Sequence, residues 1–426
     1  MPVRPTALPP FPDPLPWLRR AILGRLANGM EVCLLPNRQA DLVTTALFYR
    51  AGTRDEPAAH RGVAHFLEHL MFKGSPGFGP GEIDRLTQAA GGVNNAFTGH
   101  NLTAFYFAFG ADRWRTALAV EADRMAALTL DPEAVASERQ VILEEIAMYE
   151  DEPWDALEMA VLAALFPGHP YGQPILGDPA TLRATGAAEL ADFHRRFYGP
   201  DNAVLVVAGA LRPEAGRWIE EAFLPLAARG TSRPELPPLP PLPGLVRVER
   251  HQGEAARLLL ALPAPAVGSP EQGALRLALA LLTAGRSSRL QQLLVETDPT
   301  CLVLSAELHD GSEAPYLTIA VELLPGIEPR RVEETLLAEL ARFRATPTEE
   351  GELARARRVL LADWAFAHER IHTQALVAGT ALAGFDLDEP RRTLAAALAA
   401  DAGEVQAAAR AWLDPERAGV LGWSLP

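Results

Sequence analysis

His65-Phe66-Leu67-Glu68-His69 is the stretch from which both the architecture and the chemistry of this chain can be worked out. On a helix, residues four apart are neighbours, so the two histidines lie about 6 Å apart between their Cβ atoms. Glu68 follows His65 by three residues and projects near the same face. Imidazole is a preferred zinc ligand, and a nearby carboxylate can take a proton from water that a metal activates. The stretch therefore predicts a metal site carried by a helix.

The sequence around this stretch alternates between strand-like and helical patterns. Residues 30–35 and 42–49 are rich in Val, Leu and Thr and predict two strands. Residues 57–72 have helical periodicity and predict one helix that contains the histidines. Residues 92–109 alternate with aromatic side chains, which indicates two strands joined near Gly99. Strand groups followed by long helices predict an α+β fold in which a sheet packs against helices.

A third metal ligand has to come from another part of the chain, because catalytic zinc usually takes three protein ligands. The best source is the helix that Asp131 and Pro132 begin as N-cap and first residue. Glu138 and Glu145 are seven residues apart and share one face of this helix. Glu144 points about 100° away from its neighbour Glu145. One of these carboxylates should reach the metal, and another could orient a histidine.

The two halves of the chain resemble each other on either side of a proline-rich segment. Residues 186–210 and 401–424 both read as an amphipathic helix, a proline turn and a strand. We interpret this as an internal duplication that gives two homologous α/β-sandwich domains. The predicted limits are 1–232 for the domain with the metal site, 233–245 for a stiff linker, and 246–426 for the second domain.

Composition excludes several classes of protein. The chain has 426 residues, 48% of them hydrophobic, so it is long enough for two buried cores. The formal net charge of −15 argues against a nucleic-acid partner. The two cysteines, Cys33 and Cys301, form no metal-binding spacing. No apolar run is long enough for a membrane span, and the proline-rich N-terminus lacks the apolar region of a secretory signal. A cytoplasmic location is predicted, or a periplasmic one if a signal was removed.

Several segments together resemble the pitrilysin/insulinase family of inverted-zincin (HxxEH) metallopeptidases, in its short two-domain bacterial form, which is also similar to mitochondrial processing peptidase subunits. The segments that carry the resemblance are NGMEVCLLPN, AGTRDEPAAHRGVAHFLEHLMFKGS, GGVNNAFTGHNLTAFYF, ERQVILEEIAMYED and YGQPILGD. The resemblance is close over residues 26–210 and weak over the second half.

The family pattern implies roles for matching residues of this chain. It implies that His65, His69 and Glu145 are zinc ligands, that Glu68 is the base that activates water, and that Glu138 supports the site. The implied cofactor is Zn²⁺, and the implied reaction is hydrolysis of peptides in an enclosed chamber.

Substrate contacts follow from the same resemblance. Asn95, Ala96 and Thr98 match the family's edge strand, which pairs with the substrate main chain. The second half departs from the pattern, because Val295 and Leu302 occupy the positions of an Arg and a Tyr that contact substrate. The positions matching the metal site are also apolar there, so one zinc site per chain is expected.

Some two-domain members of the family divide these features between the subunits of a heterodimer. The chain is therefore predicted to be the zinc-bearing endopeptidase or oligopeptidase subunit, with a homologous partner that supplies the Arg/Tyr pair; a homodimer is the other arrangement. A non-catalytic assembly subunit and a processing peptidase for basic presequences are the alternatives. His100 and His194 lie outside any metal spacing and are interpreted as surface histidines.

Overall fold

Two β-sheets form the centres of two similar halves in the computed structural model, which describes residue 13, residues 15–310 and residues 313–426. The extreme N-terminal segment assessed above for a signal lies mostly outside the described residues. The strands are β1 (Ile22–Arg25), β2 (Glu31–Pro36), β3 (Leu42–Tyr49), β4 (Val93–Thr98), β5 (Thr103–Gly110), β6 (Ala203–Gly209), β7 (Leu245–His251), β8 (Arg257–Pro263), β9 (Cys301–His309), β10 (Tyr316–Leu323) and β11 (Gly419–Leu425).

Helices pack on both faces of each sheet. In the first half they are α1 (Val63–Leu70), α2 (Glu82–Ala89), α3 (Arg115–Ala126), α4 (Pro132–Asp151), α5 (Pro153–Leu165), α6 (Pro179–Ala184), α7 (Ala187–Phe197) and α8 (Ala215–Phe223). In the second half they are α9 (Pro270–Thr283), α10 (Arg289–Gln291), α11 (Pro329–Ala345), α12 (Glu350–Ala367), α13 (Ile371–Gly384), α14 (Glu389–Ala399) and α15 (Ala402–Trp412). The predicted α+β class is confirmed.

The two sheets share one strand order, which supports the predicted duplication. The first runs β1-β2-β6-β3-β5-β4 and the second runs β7-β11-β8-β10-β9. In each sheet an early strand pairs in parallel with the last strand of the same half. These pairs are β2 with β6 and β7 with β11. The other pairs of each sheet are antiparallel. The sheets differ by β1, which adds an outer strand to the first.

Each half contributes one helix to the sheet of the other half. Helix α13 packs its small residues, among them Ala375 and Ala378, against Phe48 and Val206 of the first sheet. Helix α5 packs in the same way against β8 and β11 of the second sheet, through residues such as Leu157. The two cores are therefore interlocked, although the predicted domain limits at 232 and 246 stay a prediction.

The helix predicted over residues 57–72 is interrupted. A short 3-10 turn covers Ala58–His60, and α1 begins only at Val63, after Gly62 with φ +89°. A side chain at this glycine would be strained by the left-handed backbone, and its Cβ would lie 2.4 Å from the Leu176 carbonyl oxygen. The break gives α1 its own N-terminus, which sets where His65 lies.

A methyl group added at Gly379 is expected to destabilise the fold, because α13 crosses Phe48 at this glycine. The new Cβ would lie 1.9 Å from Phe48 Cε2. Overpacking of this kind costs about 1–3 kcal/mol, so Gly379→Ala should lower the midpoint of urea unfolding. Gly384→Ala is the matched control on the same helix, since nothing lies within 4 Å of its added Cβ. Equal midpoints for the two variants would contradict the close packing of α13.

Candidate metal centre

Helices α1 and α4 bring three potential ligand groups together. The Oε2 atom of Glu145 on α4 lies 3.8 Å from His65 Nε2 and 3.6 Å from His69 Nε2 on α1. Ligand atoms of the three residues all lie within 4.8 Å of one another. Two imidazole nitrogens and one carboxylate are a donor set that zinc accepts in catalytic sites, with a further position left for water or substrate. The residues therefore fit a zinc ion.

The ionisation of these groups also suits a cation. Burial, together with the smaller effect of the nearby His69 charge, lowers the pKa of His65 to about 3. His65 is thus neutral at physiological pH, which is the form that binds metal. Burial raises the pKa of Glu145, although the charge of His69 acts in the opposite direction. A bound cation would offset the cost of burying this carboxylate.

Glu138 contacts His69 on the ring nitrogen that faces away from Glu145. Its Oε2 lies 3.2 Å from His69 Nδ1, and its Oε1 lies 2.8 Å from Lys73 Nζ. A carboxylate on the far nitrogen of a ligating histidine fixes the ring and its tautomer. Lys73 was not singled out from the sequence, although it follows His69 by one helical turn and so had the spacing to be found. The Nδ1 atom of His65 is buried and has no hydrogen-bond partner among the described residues.

Glu68 lies next to the three potential ligands and contacts the edge strand β4. Thr98 Oγ1 donates a hydrogen bond of 2.5 Å to Glu68 Oε2. Burial raises the pKa of Glu68, while the Thr98 hydrogen bond lowers it. A partly buried carboxylate beside the three potential ligands is suited to take and return protons.

Strand β4 is the last strand of its sheet, and β5 is its pairing partner among the described residues. In an antiparallel pair, every second residue directs its N–H and C=O groups towards the partner strand, and the residues between direct theirs away from it. The Gly99 N–H donates to the Leu102 carbonyl on the β5 side. The main-chain groups of Ala96 and Thr98 therefore point towards the free edge. The Ala96 N–H is taken by the side-chain oxygen of Asn95 at 2.8 Å. Asn95 is exposed and faces away from α1, so its amide would have to leave before a peptide could pair at Ala96.

Glu56 is a partly buried residue that sequence reasoning missed. Its two carboxylate oxygens accept hydrogen bonds of 2.9 Å from Gly62 N and Ala64 N at the start of α1. Burial raises the pKa of Glu56 to about 8, against the effect of these two bonds. The residue satisfies N–H groups at the N-terminus of the histidine helix, where the helix dipole favours negative charge. The only available signal was an acidic residue shortly before a predicted helix.

The interpretation of His100 and His194 as surface histidines is wrong. His194 is 6% exposed, and its Nε2–H donates to the Arg124 carbonyl at 2.9 Å. His100 is half-buried, and its Nδ1 lies 2.7 Å from Thr53 Oγ1. Burial lowers the pKa of each to about 4. Neither residue lies in a group that could hold a metal among the described residues.

His194 should make the metal-free chain less stable in acid. Its folded-state pKa is lowered to about 4, mainly by burial, from 6.5. The unfolded state therefore binds the proton more tightly, and the stability present above pH 6.5 is lost as the pH falls towards 4. The expected loss from this residue is roughly 3 kcal/mol. Urea unfolding at pH 7 and pH 4.5 should show a smaller drop for His194→Gln than for the original chain; an equal drop would refute the assignment.

The second half carries apolar residues at the positions compared with the family's Arg and Tyr. Val295 lies in a π-helical segment, Gln292–Thr297, that follows α10. Leu302 on the edge strand β9 is 67% exposed. The positions that match the metal site, Ala278, Leu281 and Leu282, are buried in the second core. No helix of the described residues is long and apolar enough to span a membrane.

Comparisons with known proteins give matches over most of the chain. The model for "Insulinase (Peptidase family M16)" matches residues 32–179, and the model for "Peptidase M16 inactive domain" matches residues 186–360. The chain is 33% identical over 317 residues to an uncharacterized zinc protease of Mycobacterium bovis, covering 70% of each protein. It is 32% identical over 203 residues to the uncharacterized zinc protease YmxG of Bacillus subtilis, covering 48% of this chain and 50% of that protein.

A solved structure shares the whole fold. The crystal structure of a protease from Helicobacter pylori matches with a TM-score of 0.89 at 22% identity, covering 95% of this chain and 99% of that one. At this identity the likeness concerns the fold alone.

Proposed function

Because the chain belongs to the insulinase family of M16 peptidases, we propose that it is a zinc-dependent endopeptidase or oligopeptidase whose metal is held by His65, His69 and Glu145. The observation that carries this proposal is the convergence of these three residues on one point, with Glu68 beside them. The cofactor is zinc, since the relatives are named zinc proteases.

The roles of the side chains follow from their positions. A bound zinc ion supplies a Lewis acid that polarises the scissile carbonyl and makes water more acidic. Glu68 takes the proton of the attacking water and returns it to the leaving amine. Glu138 keeps the His69 ring in the orientation that presents Nε2. Peptide main chain pairs with the free edge of β4, which accepts many side-chain sequences.

We further propose that this chain is the zinc-bearing subunit of a heterodimer that encloses a chamber. Support comes from Val295 and the exposed Leu302. They occupy the positions at which the family resemblance implies a substrate-contacting Arg and Tyr. The partner would be a homologous chain that carries the Arg/Tyr pair. A homodimer, or a non-catalytic assembly role, is the other possibility that the experiment addresses.

The test is hydrolysis of a quenched fluorescent peptide by the zinc-loaded chain, alone and mixed with such a homologue. Activity in the mixture only is the expected result. Full activity of the chain alone would rule out the heterodimer and favour the homodimer. Absence of hydrolysis in both samples, with zinc bound, would favour the assembly role over catalysis.

A cavity next to the site favours basic peptides as substrates. Its volume is about 210 Å³, and its lining includes Asp155 and Glu158 together with Tyr149, one turn beyond Glu145 on α4. Neither Asp155 nor Glu158 has an ion-pair partner among the described residues. Burial raises the pKa of both carboxyl groups, and repulsion from Asp155 and Glu307 raises that of Glu158 further. An uncompensated acidic cavity would be stabilised by a Lys or Arg side chain.

This cavity gives the presequence-type processing activity a specific test. Peptides that differ only by Arg or norleucine at one position should show a preference for Arg in kcat/KM. Asp155→Asn together with Glu158→Gln should remove the preference and leave hydrolysis of the neutral peptide unchanged. A general oligopeptidase would show the same kcat/KM for both peptides before and after the substitutions.

A further inference from the structure

Thr98 connects two parts of the proposed site that the sequence treated separately. Thr98 is the last residue of β4, the strand at the free edge of the first sheet. Its side chain reaches α1, where it donates to Glu68 Oε2 at 2.5 Å. The Glu68 side chain makes no other hydrogen bond among the described residues. A hydrogen bond to an ionised carboxylate is shorter and about twice as strong as one between neutral groups.

The hydrogen bond from Thr98 makes the two carboxylate oxygens of Glu68 inequivalent. Oε2 of Glu68 is occupied by the Thr98 hydroxyl, so Oε1 remains to accept a proton. Glu68 also interacts electrostatically with His69 and Glu145, which places its carboxylate at the border of the ligand set. Without the hydroxyl, a glutamate side chain has three rotatable bonds and no other described side-chain donor to hold it.

The main chain of Thr98 serves a different purpose from its side chain. In a strand, side chains project above or below the sheet while N–H and C=O groups lie in its plane. The alternation set by the Gly99–Leu102 hydrogen bond turns the Thr98 main chain to the free edge, and the Thr98 side chain contacts α1. One residue thus touches both the place where a peptide strand would add and the carboxylate that would act on it.

We propose that Thr98 is the positioning residue of the catalytic base: its hydroxyl fixes the rotamer of Glu68 and ties that carboxylate to the strand on which the peptide pairs. This inference rests on the proposed peptidase function and replaces the purely substrate-binding role that the sequence resemblance implied for Thr98. The coupling fixes the distance between the paired peptide strand and the base, whatever the side chains of the peptide.

Three substitutions test the proposal, each assayed in the mixture of this chain with its homologous partner. Thr98→Val removes the hydroxyl while keeping the shape, and Thr98→Ser keeps the hydroxyl. Thr103→Val is the matched control, because Thr103 is the direct cross-strand partner of Thr98 and its buried hydroxyl donates to the Ala51 carbonyl instead. Thr98→Val is expected to lower kcat by about 10- to 100-fold with KM changed less than twofold, which corresponds to about 1.4–2.7 kcal/mol in the barrier. Thr98→Ser should restore most of kcat, and Thr103→Val should change thermal stability but not kcat.

Two measurements do not depend on turnover. Peptide affinity of the metal-free chain, followed by fluorescence anisotropy, should be the same for Thr98→Val and the original chain. With cobalt(II) in place of zinc, the visible spectrum should change in Thr98→Val and stay unchanged in Thr98→Ser and Thr103→Val, because only the first frees the Glu68 carboxylate.

The outcomes separate this inference from the proposed function. Loss of peptide affinity in Thr98→Val with kcat unchanged would overturn the positioning role and restore the substrate-binding one. An unchanged cobalt spectrum together with an unchanged kcat would also overturn it. If the original chain hydrolyses no peptide with or without a partner, the proposed function fails, and the cobalt spectrum alone decides whether Thr98 positions Glu68.

Discussion

Glu68→Gln is expected to lower kcat by about 10²- to 10⁴-fold, the range that general acid–base groups contribute. Glutamine has nearly the same shape and can still accept the Thr98 hydrogen bond, but it cannot take a proton from water. Since Glu68 is outside the group of ligand atoms formed by His65, His69 and Glu145, zinc content should stay at one per chain. The measurement is kcat on a quenched peptide for the variant mixed with its homologous partner, alongside zinc analysis of the variant chain.

Glu144→Gln provides the control for this prediction. Glu144 is exposed on α4 next to Glu145, and it accepts a hydrogen bond from Gln140. The same chemical change at that position should leave both kcat and zinc content unaltered. Full activity in Glu68→Gln, with zinc bound, would show that another group acts as the base.

Glu145→Ala is expected to reduce zinc affinity by more than about 100-fold. Residues that only hydrogen-bond to a metal ligand already contribute about 10- to 100-fold to metal affinity, so loss of a ligand should cost more. The variant keeps both histidines but loses the carboxylate whose Oε2 faces their Nε2 atoms. Competition with a chromophoric chelator measures the affinity. A second readout is the zinc-dependent rise in the free energy of unfolding, which is about 4 kcal/mol when zinc is at 1,000 times its Kd and should fall to about 1.4 kcal/mol or less in the variant at the same zinc concentration.

Glu138→Gln gives a graded comparison on the same helix. It should weaken zinc binding by about 10- to 100-fold, since it disturbs the partner of His69 Nδ1 and not a ligand itself. Glu144→Ala should have no effect, because this side chain points to solvent. If Glu138→Gln were more damaging than Glu145→Ala, the roles of the two glutamates would have to be exchanged.

Much of the fold could be predicted from local patterns. Strand β3 matches the predicted residues 42–49, and Asp131 caps α4 as expected, with its side chain accepting from Glu133 N and Ala134 N. These features depend on residues that are close in sequence. The exchange of α5 and α13 could not be predicted, because helical periodicity shows that a helix has an apolar face and does not show which sheet covers it.

The candidate site was predictable to a similar extent. Spacing left Glu138, Glu144 and Glu145 as alternatives on one helix, and the family resemblance chose among them. The observed distances put Glu145 against both Nε2 atoms and Glu138 against His69 Nδ1. Glu56 and the Thr98–Glu68 hydrogen bond escaped prediction, because both depend on how separate elements meet in space.

The helix exchange has a consequence for the chain as it leaves the ribosome. The first sheet is complete once Gly209 has been synthesised, but α13 ends at Gly384, about 175 residues later. At the usual 5–20 residues per second, Phe48, Val204 and Val206 have no helix from the second half over them for about 10–35 seconds. The nascent protein therefore presents an apolar sheet face while about 175 further residues are synthesised, and holdase chaperones should bind ribosome-attached chains that stop before residue 371 more strongly than those in which residues 371–384 have left the ribosome.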